Sequence, residues 1–217
     1  MSGKPYAVAR LDEIPRVKSS ASSFDIAPIR VHFGIGSFGI NAYSAPEAGG
    51  HVIEEHDELG SGAGRHEELY YVVSGHATFA LNGEEIEAPT GTLVFVAEPA
   101  VRRVAVAEEP GTTVLVAGGV PGQAFQPSPW EAWLAAMRFQ DAGEPERGVE
   151  VFVEALERYP ENPNLLYNLA CFESLAGHLD ESLVHLSEAI ELQPEMKEWA
   201  QKDSDFDALR SDPRFSR

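Results

Sequence analysis

The run Arg65-His66-Glu67-Glu68-Leu69-Tyr70-Tyr71-Val72-Val73-Ser74-Gly75 restricts the fold more than any other stretch. It starts on ionisable groups, continues through aromatic and β-branched residues, and stops at a glycine. Such side chains suit a pleated, half-buried surface, so this is a strand with a core-forming body and a charged mouth that can carry chemistry. The segments after it repeat the pattern. Ala77–Leu81 and Glu84–Glu87 flank Asn82-Gly83, a hairpin turn whose two central residues need positive φ. Thr92–Val96, Val101–Ala107 and Thr112–Ala117 follow, separated by Pro89-Thr90-Gly91, Glu98-Pro99 and Glu109-Pro110-Gly111. Upstream, His51–His56 reads as a strand and Asp57–Arg65 as a flexible glycine-bearing loop. Ile29–Tyr43 alternates apolar and small residues like a strand, with Gly34, Gly36 and Gly39 permitting bends. About nine short strands with regular turn signals predict an antiparallel sandwich or barrel.

The pattern changes after residue 118. Gly118–Pro129 carries three prolines and three glycines, and the period beyond it is helical: Trp133, Leu134, Met137, then Val149, Phe152, Val153, Leu156. The expected organisation is an N-terminal arm over 1–27, a β-barrel over 28–118, a Pro/Gly linker over 119–129, helical repeats over 130–194, and a capping helix with a tail over 195–217. A short element near Ala9–Glu13 is expected within the arm, and the capping helix near Met196–Lys202. The fold class is α+β multidomain.

The helical part repeats itself. Gly143 and Gly177, Ala155 and Ala189, and Pro160 and Pro194 are each 34 residues apart; so are Phe152 and Leu186, and Gly148 and Ser182. Each unit reads helix, glycine turn, helix, proline stop, with small residues where two helices must approach closely. Phe206, Leu209 and Phe215 in the tail are expected to seal the end of the stack.

Composition narrows the partners. The net charge is −19, from 16 basic and 35 acidic residues, so phosphate backbones and anionic lipid are repelled; neither nucleic acid nor a membrane is an expected partner. No apolar run approaches the roughly 18–20 residues of a membrane span. Met1–Tyr6 has no apolar leader core, and a cytoplasmic location is the expectation. The single cysteine, Cys171, excludes an internal disulfide and a Cys-rich zinc site, and reads as a small packing residue. Gly34-x-Gly36-x-x-Gly39 spells a dinucleotide fingerprint, but no helix pattern follows it.

Two family resemblances add to this. Glu68 and Gly75, separated by Leu69-Tyr70-Tyr71-Val72-Val73-Ser74, resemble the first cupin motif. Pro89-Thr90-Gly91 followed by Thr92-Leu93-Val94-Phe95-Val96 resembles the second. The resemblance covers roughly residues 28–118 and implies a cupin-type jelly roll. Metal-binding members place a His-x-His pair just before the glutamate and a third His on the second-motif strand. Here those positions hold Gly62, Gly64 and Arg102, so only Glu68 of the four usual ligands is present. The 34-residue period resembles the tetratricopeptide repeat (TPR). The family's usual Trp at position four is absent, Ala132 and Leu166 standing there, and two repeats are visible.

Three candidate sites follow. In the first, Glu68 and Arg102 face one interior point, and an Arg102 guanidinium replaces the metal. Arg102 or Arg103 then offers its remaining donors to an anionic small molecule. Counting along the strands places Tyr70 on the same face, Val104 and Val106 beside Arg102, and Asn41 and Tyr43 together on an earlier strand. His66, two residues before Glu68, faces the same way. The second is a divalent metal held by His56, His66 and Glu68. The third is a partner groove carried over from the repeat family: Trp130, Trp133, Leu134, Met137 and Gln140, then Asn164, Tyr167, Asn168, Cys171 and Ser174. These residues imply a ligand-binding or sensing cupin, not a typical metalloenzyme, with repeats for oligomerisation or protein contact. A homodimer is expected. The alternatives are a metal-dependent dioxygenase or isomerase with a rearranged His/Glu site, and an interaction protein with a filled barrel.

Overall fold

A computed structural model of the chain describes residues 6–18 and 23–215. Parts of the expected arm (1–5 and 19–22) and the last two residues of the tail lie outside the described residues. The chain divides into two compact units, Met1–Gln126 and Pro127–Arg217.

Among its described residues the first unit carries ten strands: β1 (Val17–Lys18), β2 (Asp25–Ala27), β3 (Gly39–Ala45), β4 (His51–His56), β5 (Glu67–Ser74), β6 (His76–Leu81), β7 (Glu84–Pro89), β8 (Leu93–Val96), β9 (Arg103–Ala107) and β10 (Thr112–Gly119). They form two sheets, six strands in the order β1-β2-β3-β10-β5-β8 and four in the order β4-β9-β6-β7. All described pairings are antiparallel. The Asn82-Gly83 turn between β6 and β7 has φ 50° and 86°, the positive values a two-residue hairpin needs to match strand twist.

Side chains from both sheets meet in one core that includes Tyr70, Val72, Phe79, Val94, Ala105, Ala107, Val114 and Val116. A two-sheet sandwich buries alternate residues, and β5 shows this clearly: Tyr70 and Val72 point inward, Leu69 and Tyr71 outward. On the outer face of the larger sheet, Ile14, Ala27, Ile29 and Ala42 build a second small core over β2 and β3.

Two expectations for the N-terminal region are corrected. The arm is not a simple loop, because β1 and β2 extend the large sheet. Ile29–Tyr43 is not one strand. Residues Ile29–Phe33 form α1, which ends at Gly34 in the left-handed region (φ 68°), where the Gly34 N–H donates to the Arg30 carbonyl. The Ile29, Val31, Phe33 alternation imitated a strand. A following glycine able to adopt positive φ let the chain close a helical turn instead.

The second unit is helical: α2 (Pro129–Asp141), α3 (Pro145–Arg158), α4 (Pro163–Ala176), α5 (Leu179–Leu192) and α6 (Met196–Ala200), then a 3-10 turn over Ser204–Leu209. Proline starts three of these helices, where its missing N–H costs nothing. Asn162 caps α4 by accepting from the Leu165 N–H at 3.0 Å. The matched small residues lie where helices touch. A Cβ on Gly148 would stand 2.0 Å from Cδ1 of Phe172 on α4. Ser182 on α5 is fully buried and donates to the Ala170 carbonyl at 2.7 Å. The tail returns to the bundle and buries Phe206, Leu209 and Phe215 with Leu166, Leu186 and Met196. No helix among the described residues is long and apolar enough to cross a membrane.

Candidate functional site

Four elements of the first unit converge on Glu68. It lies on β5 two residues before Tyr70, so both side chains face the sandwich interior, Tyr70 deep and Glu68 at the mouth. Arg103 begins β9 in the opposite sheet and is completely buried. His56 ends β4, and Glu58 follows in the loop.

Three groups crowd one carboxylate oxygen. The Tyr70 hydroxyl donates a very short hydrogen bond to Oε2 of Glu68. Nη2 of Arg103 stands 3.1 Å from the same oxygen, an ion pair whose angle falls short of an aligned hydrogen bond. Nε2 of His56 lies 3.8 Å away. No hydrogen bond among the described residues ends on Oε1 of Glu68. Arg103 is held from behind: Nη1 donates to the carbonyls of Val101 (2.7 Å) and Pro99 (3.3 Å), and Nε to the Tyr70 hydroxyl at 3.2 Å.

The structure corrects the arginine. Arg103, not Arg102, faces Glu68; Arg102 is exposed and pairs with Glu55 at 3.1 Å. The inward residues of β9 are accordingly Arg103, Ala105 and Ala107, and Val104 and Val106 turn to the other face. Counting from Gly91 crosses the irregular residues 97–102, where alternation does not hold. The alanine and valine positions are both apolar, so β9 itself gives no correcting signal. Arg103 also offers little to an anion, since it is enclosed and its donors already face Tyr70, Glu68 and two carbonyls.

The metal set is corrected too. His56, Glu58 and Glu68 bring ligand atoms within 4.8 Å of one another; His66 is not in that group. Arg65 at φ 58° turns the chain just before β5. The His66 ring packs against Phe125, 5.6 Å between centroids, and its backbone N–H donates to Oε2 of Glu58 at 3.2 Å. Glu58 also accepts from the Gly64 N–H at 2.9 Å. Sequence reasoning passed over Glu58 because it sits in a glycine-bearing loop; its place two residues after His56 was the available signal.

Two features of this set bear on a divalent ion. The His56 Nδ1 bond to the Glu54 carbonyl at 2.8 Å leaves Nε2 free to ligate, and Glu58 Oε2 is taken by two backbone N–H groups; what opposes an ion is the neighbouring Arg103. An added cation would stand against the enclosed guanidinium, at about 4 kcal/mol of repulsion per unit charge at 4 Å in a partly screened environment.

Of the remaining expected residues, Asn41 is buried and its Oδ1 has no partner among the described residues. Tyr43 faces the core and meets the Phe24 ring edge-on at 5.5 Å.

Electrostatics follow the geometry. Burial alone would push Glu68 up. The approach of His56, the Tyr70 hydrogen bond and the Arg103 charge outweigh it and hold the carboxyl below its ordinary value. Burial would lower His56, but the nearby Glu68 carboxylate and the bond to the Glu54 carbonyl raise it above its ordinary 6.5. Burial and the Glu68 charge push Tyr70 far up, so it stays a neutral donor. The sign of the linkage is fixed by these directions. The raised His56 stabilises fully below 6.5, and that contribution is lost as pH rises through its folded value. The lowered Glu68 stabilises fully above 4.5, and its contribution is lost as pH falls through its folded value. Thermal unfolding of wild type and His56→Gln across this range checks it. The wild type is expected to lose stability relative to the variant above pH 6.5; parallel profiles would contradict the pairing.

In the helical unit the expected groove is largely covered by the chain itself. Tyr167 donates to Asp203 at 3.0 Å, Ser174 to the Asp205 carbonyl at 2.7 Å, and Gln140 reaches Asp205 at 3.5 Å. Cys171 is buried 3.8 Å from Asp203, with its thiol pushed up by burial and the Asp203 charge. Asp205, half-buried beside Asp203, is pushed up to about 6. Asn168 donates within its own helix to the Asn164 carbonyl at 2.7 Å. Trp130 and Trp133 pack on each other at 6.2 Å, and Leu134 is buried.

No protein-family model and no curated protein matches the chain. Several solved structures resemble part of it. KdgF from Halomonas sp. is 19% identical, over 49% of this chain and 88% of that one, with a TM-score of 0.41. The nucleoside dehydratase Pac13 is 19% identical over 52% and 81%, with a TM-score of 0.38. A cupin protein from Bacteroides fragilis is 18% identical over 51% and 87%, with a TM-score of 0.38. These likenesses cover about half the chain at low identity.

Proposed function

We propose that the first unit is a cupin-type sandwich that binds a small organic molecule at the Glu68 mouth without a resident metal. The motif residues Glu68–Gly75 and Pro89–Val96, placed on adjacent strands β5 and β8, support the family reading. Arg103 carries the functional one. A fully buried cation lies on the carboxylate that would otherwise ligate a metal, leaving Oε1 as the acceptor turned to a ligand. The test is a fragment screen by amide NMR on the full chain. Binders are expected to shift resonances around Glu68, and Glu68→Gln is expected to weaken them about tenfold, the value of a charge-assisted hydrogen bond. Stoichiometric iron, manganese, nickel or zinc in the purified protein, lost on His56→Ala, would overturn this in favour of a metal-dependent enzyme.

The helical unit is, on this proposal, a pair of TPR-like hairpins that serve assembly or protein contact. The chain's own 203–209 segment argues against peptide capture along α4. On the same proposal a second copy would dock on the outer face of the six-stranded sheet. There Leu93 and Phe95 on edge strand β8 are 61% and 58% exposed beside Leu69 and Tyr71. Sedimentation is expected to show a dimer that Phe95→Glu dissociates; an unchanged variant would move the interface elsewhere.

A further inference from the structure

The sandwich mouth has a second feature beside the Glu68 cluster. Gly39, Gly118 and Glu68 are opposite one another on β3, β10 and β5, and one row further in come Asn41, Val116 and Tyr70. Asn41 shares its face with Tyr43 and Ala45, which belong to the core, so its side chain points into the sandwich. The mouth row therefore has a bare floor of two glycines. A Cβ on Gly118 would stand 2.7 Å from the Glu67 carbonyl and 3.1 Å from Cγ of Glu68, so β5 packs close over Gly118 on the side of that carboxylate, and the room for a ligand is over Gly39. An aromatic ring already rests on it. A Cβ on Gly39 would lie 3.2 Å from Cε2 of Phe125, whose ring also packs on His66 and under the Arg30 guanidinium, 5.7 Å from the centroid.

Behind this floor, Asn41 is 6% exposed and its Oδ1 has no partner among the described residues. A buried carbonyl oxygen left unpaired is costly, and such groups are normally satisfied. An orphan acceptor calls for an N–H or O–H donor. The amide nitrogen on the same side chain can answer an adjacent carbonyl. Of the charged groups nearby, Glu68 is paired with Arg103 and His56, Glu58 is bonded to two backbone N–H groups, and Arg30 lies over the Phe125 ring.

We propose that this row is a subsite for a flat, uncharged group with adjacent N–H and C=O, a lactam or carboxamide, bonded edge-on by Asn41. Phe125 stands where that group lies and moves off the glycine floor to admit it. The proposal rests on the ligand-binding reading of the Glu68 mouth and adds the chemical class of ligand.

The probes are 2-pyridone, N-methyl-2-pyridone and benzoate, titrated into the full chain by amide NMR. 2-Pyridone is expected to shift Gly39, Asn41 and Gly118. The N-methyl analogue, which lacks the N–H, is expected to bind about tenfold more weakly, as is benzoate. Asn41→Leu, close in volume, is expected to abolish the preference for 2-pyridone without lowering the unfolding midpoint; Asn41→Ala serves the same purpose should leucine disturb the fold. Phe125→Ala is expected to tighten 2-pyridone severalfold by removing its competitor. Equal binding of 2-pyridone and its methylated analogue, or unchanged binding by both Asn41 variants, would overturn the proposal. If fragments perturb the Glu68 row without any dependence on Asn41, this inference falls and the binding reading stands. If nothing binds at the mouth, both fall.

Discussion

Replacing Arg103 by methionine is expected to cost about 3–5 kcal/mol of folding stability, read from urea or thermal unfolding. The guanidinium is fully buried and lies on Glu68 and Tyr70. Without it, the Glu68 carboxylate keeps its desolvation and loses the charge that offsets it. A second variant separates a lost attraction from a lost shape. In Arg103→Met combined with Glu68→Leu, both charges leave together, and apolar replacements of a buried pair are often near neutral. The double variant is therefore expected to recover most of the loss. A single-variant cost under about 1 kcal/mol would show that Glu68 finds solvent or takes a proton at little expense, and would remove the basis for treating Arg103 as the fixed cation of the site.

The second large effect is expected at Gly148. On an exposed helix, replacing glycine adds up to about 1 kcal/mol of stability through propensity. Here the added Cβ would stand 2.0 Å from the Phe172 ring, which is 2% exposed and also packs against Phe152 at 5.3 Å. A buried ring packed against Phe152 yields only at a cost, so sterics override propensity. Gly148→Val is expected to lose about 3 kcal/mol or more, at the upper end of overpacking costs. Gly148→Ala with Phe172→Leu is expected to recover part of the loss. If the two valine γ-carbons are accommodated with no change in unfolding midpoint, α3 and α4 do not pack as described.

Legibility varied from residue to residue. The turn at Asn82-Gly83 and the bounds of β4, β6 and β7 could be read to within a residue or two, because turn chemistry and β-branched runs act locally. The N-terminal region could not. Ile29–Phe33 alternates like a strand and folds as a helical turn, since five residues carry too little pattern to separate the two periods. Arg102 and Arg103 were adjacent candidates, and only pairing across the sheet told them apart. Glu58 was invisible because no local pattern announces that a loop carboxylate will be captured by the N–H groups of Gly64 and His66. In the helical unit, Gly148 and Ser182 signalled close contact by size alone. That the tail would lay Asp203 and Asp205 over Tyr167, Cys171 and Ser174 followed from no spacing.

The sequence by itself determined the strand-rich first part, the helical second part and its 34-residue period, and it singled out Glu68 as a candidate. Those follow from periodicity and turn residues, which are properties of neighbouring positions. The tertiary structure alone decided which arginine meets Glu68, that His56 and Glu58 join it while His66 turns to Phe125, and that the buried Asn41 oxygen has no partner among the described residues. Each of these depends on the register between strands distant in the chain. A shift of one residue there exchanges the faces of a whole strand, and no local signal records it.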